Sequence, residues 1–373
     1  MDVLVVAGEA SGDQHAADVV AALQARRSDL RFFGMGGPKL AARGVELIHG
    51  AHEISVMGIV EVLPKVPRIW RVLQDLVKAA EARRPAVALL IDVPDFNLRL
   101  AKQLKRLGVP VAYYVAPMVW AWREGRTKTI AQRVDELFCI LPFEEKFLRE
   151  RGVPATYVGN PVLDQLPAPA PPEAFRRALG LDPGRPTLAV LPGSRRSEIR
   201  RLGDTLRAIA RRVAAEKPGV QLVVPVAPGL PREFVASAFE GVDVTFVEGR
   251  AAEVVGASDV ALVASGTATL EAGLMRRPLV AVYRVSPVSY WVGRALVRIP
   301  FFCLVNLLAE KRVVPEFLQG DFTVDNVVQA LAPLWQGPER EACLGGLDEL
   351  RAKLGAPGAA GRVADGVLRL ARP

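Results

Sequence analysis

The chain has 373 residues, half of them apolar, with 32 Gly, 29 Pro and a formal net charge of +8. That length is generous for one core and comfortable for two domains, and the composition is globular α/β, which excludes a disordered, repetitive or collagen-like chain. The positive charge fits an Arg-rich surface, a site for anionic substrates or a membrane surface; no nucleic acid is expected, because the Arg clusters lack interleaved aromatics.

The amino terminus opens directly on a strand, Val3–Val6, with no basic segment before it and an apolar run too short for a signal peptide. The uncharged runs near 111–122 and 299–309 fall short of the roughly 18 residues that span a bilayer. A cytoplasmic location is therefore expected. The loop Gly8-Glu-Ala-Ser-Gly-Asp13 follows the first strand and opens a helix over Asp13–Arg26, with Asp13 or Ser11 as its cap. It lacks G-x-G-x-x-G, so it is either a plain strand–helix turn or a loop for a polar or phosphorylated ligand.

Further strands are expected at Leu30–Phe33, Val87–Ile91, Val111–Val115, Glu136–Ile140 and Thr156–Val158, with helices over Pro67–Arg83 and Asn97–Leu107. Between them, the stretch Val56–Leu73 mixes Val56, Met57, Ile59, Val60, Leu63 and Trp70 with Lys65, Arg68 and Arg71. That pattern suits an interfacial surface or an acyl-chain groove, and equally a core helix with snorkelling arginines. At Ile91-Asp-Val-Pro-Asp-Phe-Asn97 two carboxylates sit just past a strand's carboxyl end, where open α/β sheets place chemistry. One of them can act as a general base, or either can simply cap the next helix. His49 and His52 are close in sequence, but no carboxylate or cysteine cluster completes a zinc site, and the chain has no Asp-x-Asp pair; no metal or cofactor is expected. The cysteines Cys139, Cys303 and Cys343 lack C-x-x-C spacing and read as buried thiols.

A Pro-rich stretch, Leu166–Pro172, reads as an interdomain linker. The rhythm then repeats, with strands at Thr187–Leu191, Val220–Pro225, Val242–Phe246, Val260–Val263 and Leu279–Val282. Two of these feed similar loops, Leu191-Pro-Gly-Ser-Arg-Arg-Ser-Glu198 and Ala264-Ser-Gly-Thr-Ala-Thr-Leu-Glu271. Strand, Gly-Ser turn, helix aims backbone N–H groups and a helix dipole at an anion. Arg195 adds a fork of donors suited to phosphate oxygens, and Glu271 a carboxylate able to accept from vicinal hydroxyls. Together they describe a sugar-nucleotide pocket. A second basic-aromatic stretch, Val288–Phe302, carries Trp291 between arginines, and residues 325–373 are helical in pattern.

These residues give the chain a resemblance to the lipid-A-disaccharide synthase family, glycosyltransferases of the GT-B type. It rests on Ala7–Asp13, Met57–Val62, Ile91–Asn97, Val119-Trp-Ala-Trp-Arg123, Leu191–Arg195, Ala264–Ala268 with Glu271, and Asn306-Leu-Leu308. Three positions depart from the family pattern: Val305 where proline is usual, Glu310 where glycine is common, and Asn160 where some members carry histidine.

The resemblance implies an α/β fold of two Rossmann-like domains facing a cleft. It places an acceptor domain at 1–165, a nucleotide-sugar domain at 166–339, and tail helices from about 340 to 373 crossing back to the first. It implies transfer from UDP-2,3-diacylglucosamine to 2,3-diacylglucosamine 1-phosphate, giving the β-1,6-linked disaccharide 1-phosphate and UDP with inversion, at the inner-membrane cytoplasmic surface, with a second copy in a homodimer as a candidate partner. Asp95 is the expected base and Arg195 the residue that stabilises departing UDP. The donor set is Gly193, Ser194, Arg195, Ser265, Gly266, Thr267, Glu271 and Asn306; the acceptor set is Glu9, Ser11, Gly12, Asp13 and His15. Lipid contact falls to Val56, Met57, Ile59, Val60, Leu63, Trp70 and Trp291. The rivals are another GT-B UDP-sugar enzyme, such as a UDP-N-acetylglucosamine 2-epimerase, and a non-catalytic peripheral membrane protein with a nucleotide site.

Overall fold

A computed structural model describes residues 1–54, 66–168, 170–286 and 300–371. Contacts divide the chain into two units, Met1–Asp164 with Ala356–Pro373, and Gln165–Gly355.

The first unit is a parallel sheet of β1 (Asp2–Ala7), β2 (Arg31–Gly36), β3 (Glu46–Gly50), β4 (Val87–Ile91), β5 (Val111–Tyr114), β6 (Glu136–Cys139) and β7 (Ala155–Tyr157). Their spatial order is β3-β2-β1-β4-β5-β6-β7. Successive side chains of β1 alternate between two cores. Leu4 and Val6 join one with the helices Val66–Arg83 and Pro94–Arg106, while Val3, Val5 and Ala7 join the other with the helix Ala10–Arg26. Burial on both faces is why the strand reads as an unbroken apolar run.

The second unit repeats the plan with β8 (Thr187–Leu191), β9 (Gln221–Val226), β10 (Thr245–Glu248), β11 (Val260–Ala264), β12 (Leu279–Tyr283) and β13 (Glu316–Leu318), ordered β10-β9-β8-β11-β12-β13. In each sheet the order reverses once, beside β1 and β4 in the first and beside β8 and β11 in the second. Ligands of open α/β sheets bind outside the strand carboxyl ends at that reversal.

The chain returns to the first unit later than the sequence pattern places it. Helix Pro338–Leu354 stays with the second unit, and only helix Ala359–Leu370 packs on the first. There Val363, Ala364 and Val367 enter the core lined by the helix Ala10–Arg26. The Asp164 carboxylate accepts from the N–H groups of Gly358 and Ala359, capping the returning helix, and Arg26 pairs with Asp365 at 2.6 Å. No helix among the described residues is long and apolar enough to cross a membrane.

Candidate active site

At the reversal of the second sheet a cavity of about 370 Å³ opens, lined by Gly193, Ser194 and Arg195 from the loop after β8 and by Ser265, Gly266, Thr267 and Glu271 after β11. The two loops singled out in the sequence thus share one pocket. The second opens the helix Thr267–Leu274, at whose start the Thr269 N–H reaches the Gly266 carbonyl at 3.1 Å; a helix N-terminus of this kind favours an anion. Glu271, one turn in, has no hydrogen-bond or ion-pair partner among the described residues, and burial raises its pKa. A desolvated carboxylate without a partner is suited to accept from ligand hydroxyls.

The first loop is arranged differently from the sequence expectation. The N–H groups of Ser194 and Arg195 do not point into open space; they donate to Glu198 Oε2 at 3.0 and 3.1 Å. They are therefore not free for phosphate, and the loop's contribution to an anion falls on the Arg195 guanidinium. Asn306 is also relocated. It is fully buried and absent from the pocket wall: its Oδ1 accepts from Val313 and Val314 N–H at 2.8 and 2.9 Å, and its Nδ2 donates to the Val314 carbonyl at 2.9 Å. It holds a backbone turn, so it does not orient the donor directly.

At the reversal of the first sheet, Glu9 and Ser11 are exposed and Gly12 is buried at the start of the helix Ala10–Arg26. Asp13 is not available to a ligand. Its carboxylate is 3 % exposed and takes the N–H groups of Gly37 (2.7 Å), Lys39 (2.9 Å) and Leu40 (3.2 Å), capping the next short helix. His15 lies edge-on to Tyr114, and burial foremost lowers its pKa, which favours the uncharged ring.

Beside them the chain leaves β4 through two consecutive left-handed residues, Asp92 (φ 51°) and Val93 (φ 44°). Each costs about 1–3 kcal/mol for a residue with a side chain, and such strain persists only where surroundings impose it. Here the buried Asn97 side chain donates to the carbonyls of Ile91 (3.0 Å) and Asp92 (2.8 Å), and the Tyr113 hydroxyl donates to the Asp92 carbonyl. The turn holds the Asp92 carboxyl half-buried near Glu9; burial, then the Glu9 charge, raise its pKa. Asp95, by contrast, is 71 % exposed and ion-paired with Arg126. Sequence spacing could not tell the two carboxylates apart; the structure leaves Asp92 half-buried near Glu9 and Asp95 exposed in an ion pair.

Asp95 also edges a cavity of about 370 Å³ in the first unit, walled by Ile54, Val66, Ile69, Trp70 and Leu73. Trp70 is 55 % exposed there. The other expected lipid contacts, Val56, Met57, Ile59, Val60, Leu63 and Trp291, lie outside the described residues. His49 bonds Glu53 and Asp75, both at 3.2 Å, and no group of three His, Cys, Asp or Glu among the described residues is placed to hold a metal.

The family model described as lipid-A-disaccharide synthetase matches residues 3–343. The lipid-A-disaccharide synthase of Myxococcus xanthus (strain DK1622) is 60% identical over 100% of this chain and 98% of its own length. The chain belongs to the lipid-A-disaccharide synthase family. It is accordingly a hexosyltransferase of lipid A biosynthesis, with UDP-diacylglucosamine and acylated glucosamine 1-phosphate as its substrate types. Solved structures agree on the fold. The glycotransferase of kitacinnamycin matches with a TM-score of 0.65 at 16% identity over 100% of this chain and 98% of that one. The UDP-GlcNAc 2-epimerase of Neisseria meningitidis, bound to UDP-GlcNAc, matches at 0.59 and 12% identity over 99% of both chains. At such identities the likeness is one of fold alone, the GT-B arrangement of two parallel-sheet domains.

Proposed function

We propose that this enzyme joins UDP-2,3-diacylglucosamine to 2,3-diacylglucosamine 1-phosphate by one in-line displacement at the donor's anomeric carbon. The acceptor's 6-oxygen forms the new bond as the bond to the β-phosphate oxygen breaks. The proton passes to a carboxylate, and the electron pair leaves with UDP. The observation that carries this reading is the pocket at the second sheet's reversal, which unites Arg195, the start of the helix Thr267–Leu274 and the unpartnered Glu271.

In this reading Arg195 and the helix N–H groups take the charge of the departing diphosphate, and Glu271 accepts from the ribose hydroxyls. Asp92 is the base in place of Asp95, because a desolvated carboxylate with a raised pKa is the stronger proton acceptor, whereas Asp95 is already engaged by Arg126. In this reading Glu9, Ser11 and His15 meet polar groups of the acceptor; the exposure of Glu9 and Ser11 supports it. The cavity beside Trp70 suits an acyl chain, and the same exposed face supports peripheral attachment to the inner membrane's cytoplasmic surface. The diphosphate charge is met without metal.

The test is UDP release from UDP-2,3-diacylglucosamine with and without acceptor. Release that requires acceptor, falling about 10²–10³-fold in Arg195→Ala, is the expected result. Turnover of Arg195→Ala within about threefold of the parent contradicts the assignment.

A further inference from the structure

We propose that Glu198 is an internal anion that shares Arg195 with the bound diphosphate and thereby speeds the release of UDP. The inference rests on the reading of the second unit's pocket as the UDP-sugar site and goes beyond it.

Glu198 is 7 % exposed in the wall of that pocket, three residues after Arg195 at the start of the helix Arg196–Glu216. Four donors converge on it. Ser194 and Arg195 N–H reach Oε2 at 3.0 and 3.1 Å, and the Arg195 guanidinium and the Tyr283 hydroxyl reach Oε1 at 3.3 and 3.2 Å. The loop can wrap this closely because residue 193 is glycine, at φ 107°; a Cβ there would stand 2.5 Å from Glu198 Oε2 and 2.9 Å from its Cβ.

Capping a helix explains the two N–H bonds but not the choice of a charged group in an anion pocket. A glutamine at this spacing also offers an oxygen to both N–H groups. What the carboxylate adds is negative charge within hydrogen-bond reach of the one guanidinium expected to hold the phosphates. The Arg195 side chain is half-exposed, so it can turn from Glu198 to a ligand. Every phosphate that takes Arg195 then does so in competition with Glu198 and against its charge. UDP carries more negative charge than a UDP-sugar, so the penalty falls harder on product than on substrate. Glu198 acts through Arg195 and touches no reacting atom; it is a positioning residue.

The experiment is UDP binding by calorimetry on the full chain. Binding of UDP by the parent tests the pocket assignment; the ratio between variant and parent tests this inference. Glu198→Gln keeps the helix cap and removes the charge, and is expected to bind UDP about tenfold more tightly with an unchanged melting temperature. In an Arg195→Ala background the same substitution is expected to tighten UDP binding far less, because only the direct repulsion between Glu198 and the diphosphate is left to remove. Unchanged or weaker UDP binding in folded Glu198→Gln, or equal tightening without Arg195, overturns the proposal. Tyr283→Phe provides a second arm if Glu198→Gln does not fold. It leaves Glu198 more strongly committed to Arg195, so UDP binds several-fold more weakly; unchanged or tighter binding there also overturns it.

Discussion

Glu144, 1 % exposed, stands at the start of the helix Pro142–Arg149, between β6 and the edge strand β7. It accepts from the Trp120 indole N–H at 3.0 Å and from Leu141 N–H at 3.1 Å. Both bonds favour the carboxylate, yet burial outweighs them and pushes its pKa from an ordinary 4.5 up to about 7. The folded chain therefore holds a proton that the unfolded chain has already lost between those values. Stability must fall as pH rises from about 4.5 to about 7, and level off above. At about 1.4 kcal/mol per pH unit the fall amounts to about 3 kcal/mol. Glu144→Gln cannot ionise, so it should remove this slope; its one oxygen serves Trp120 while its NH2 opposes the Leu141 N–H, so the gain over the parent at pH 8 is smaller than that amount. Amide hydrogen exchange of β6 and of the helix Pro142–Arg149, between pH 5 and 8.5, reads the first unit's opening by itself. A Gln variant that keeps the parent's pH slope refutes the reasoning.

Two further outcomes test the corrected site and the lipid-facing cavity. Asn306→Ala strands the buried N–H of Val314 and the part-buried N–H of Val313, costing about 1–3 kcal/mol in thermal or urea unfolding, while UDP affinity of the folded variant stays within about threefold of the parent. Trp70→Ser should reduce co-sedimentation with anionic vesicles, which itself weakens with added salt; binding that ignores both salt and the substitution argues that this cavity faces no lipid.

What the sequence could and could not convey follows from where each group makes its contacts. The runs that became β1, β4, β8 and β11 are buried on both faces and stand out as unbroken apolar segments. β3 and β13 carry no such signal: Glu46–Gly50 and Glu316–Leu318 are sheet edges, only partly buried. The loops around Gly193 and Gly266 were legible because strand–turn–helix spacing is local. The contacts of Asp13 and Asn306 were not legible, for the converse reason. Each bonds backbone groups whose identity depends on the tertiary fold, the turn before Lys39 in one case and Val313–Val314 in the other. Glu198 stood at capping-box spacing from Arg195, a local signal that could have shown the loop's N–H groups to be occupied. Glu310 explains one departure from the family pattern: it adopts φ 59° at a helix end, the left-handed conformation that a glycine takes without strain.

The central claim is that the half-buried carboxylate at the end of β4 takes the acceptor's proton, and it is tested most directly by comparing Asp92→Asn with Asp95→Asn. Acceptor-dependent kcat should fall about 10²–10⁴-fold in Asp92→Asn, with UDP affinity preserved, and far less in Asp95→Asn. Full turnover in Asp92→Asn, with the loss appearing in Asp95→Asn instead, would contradict the account.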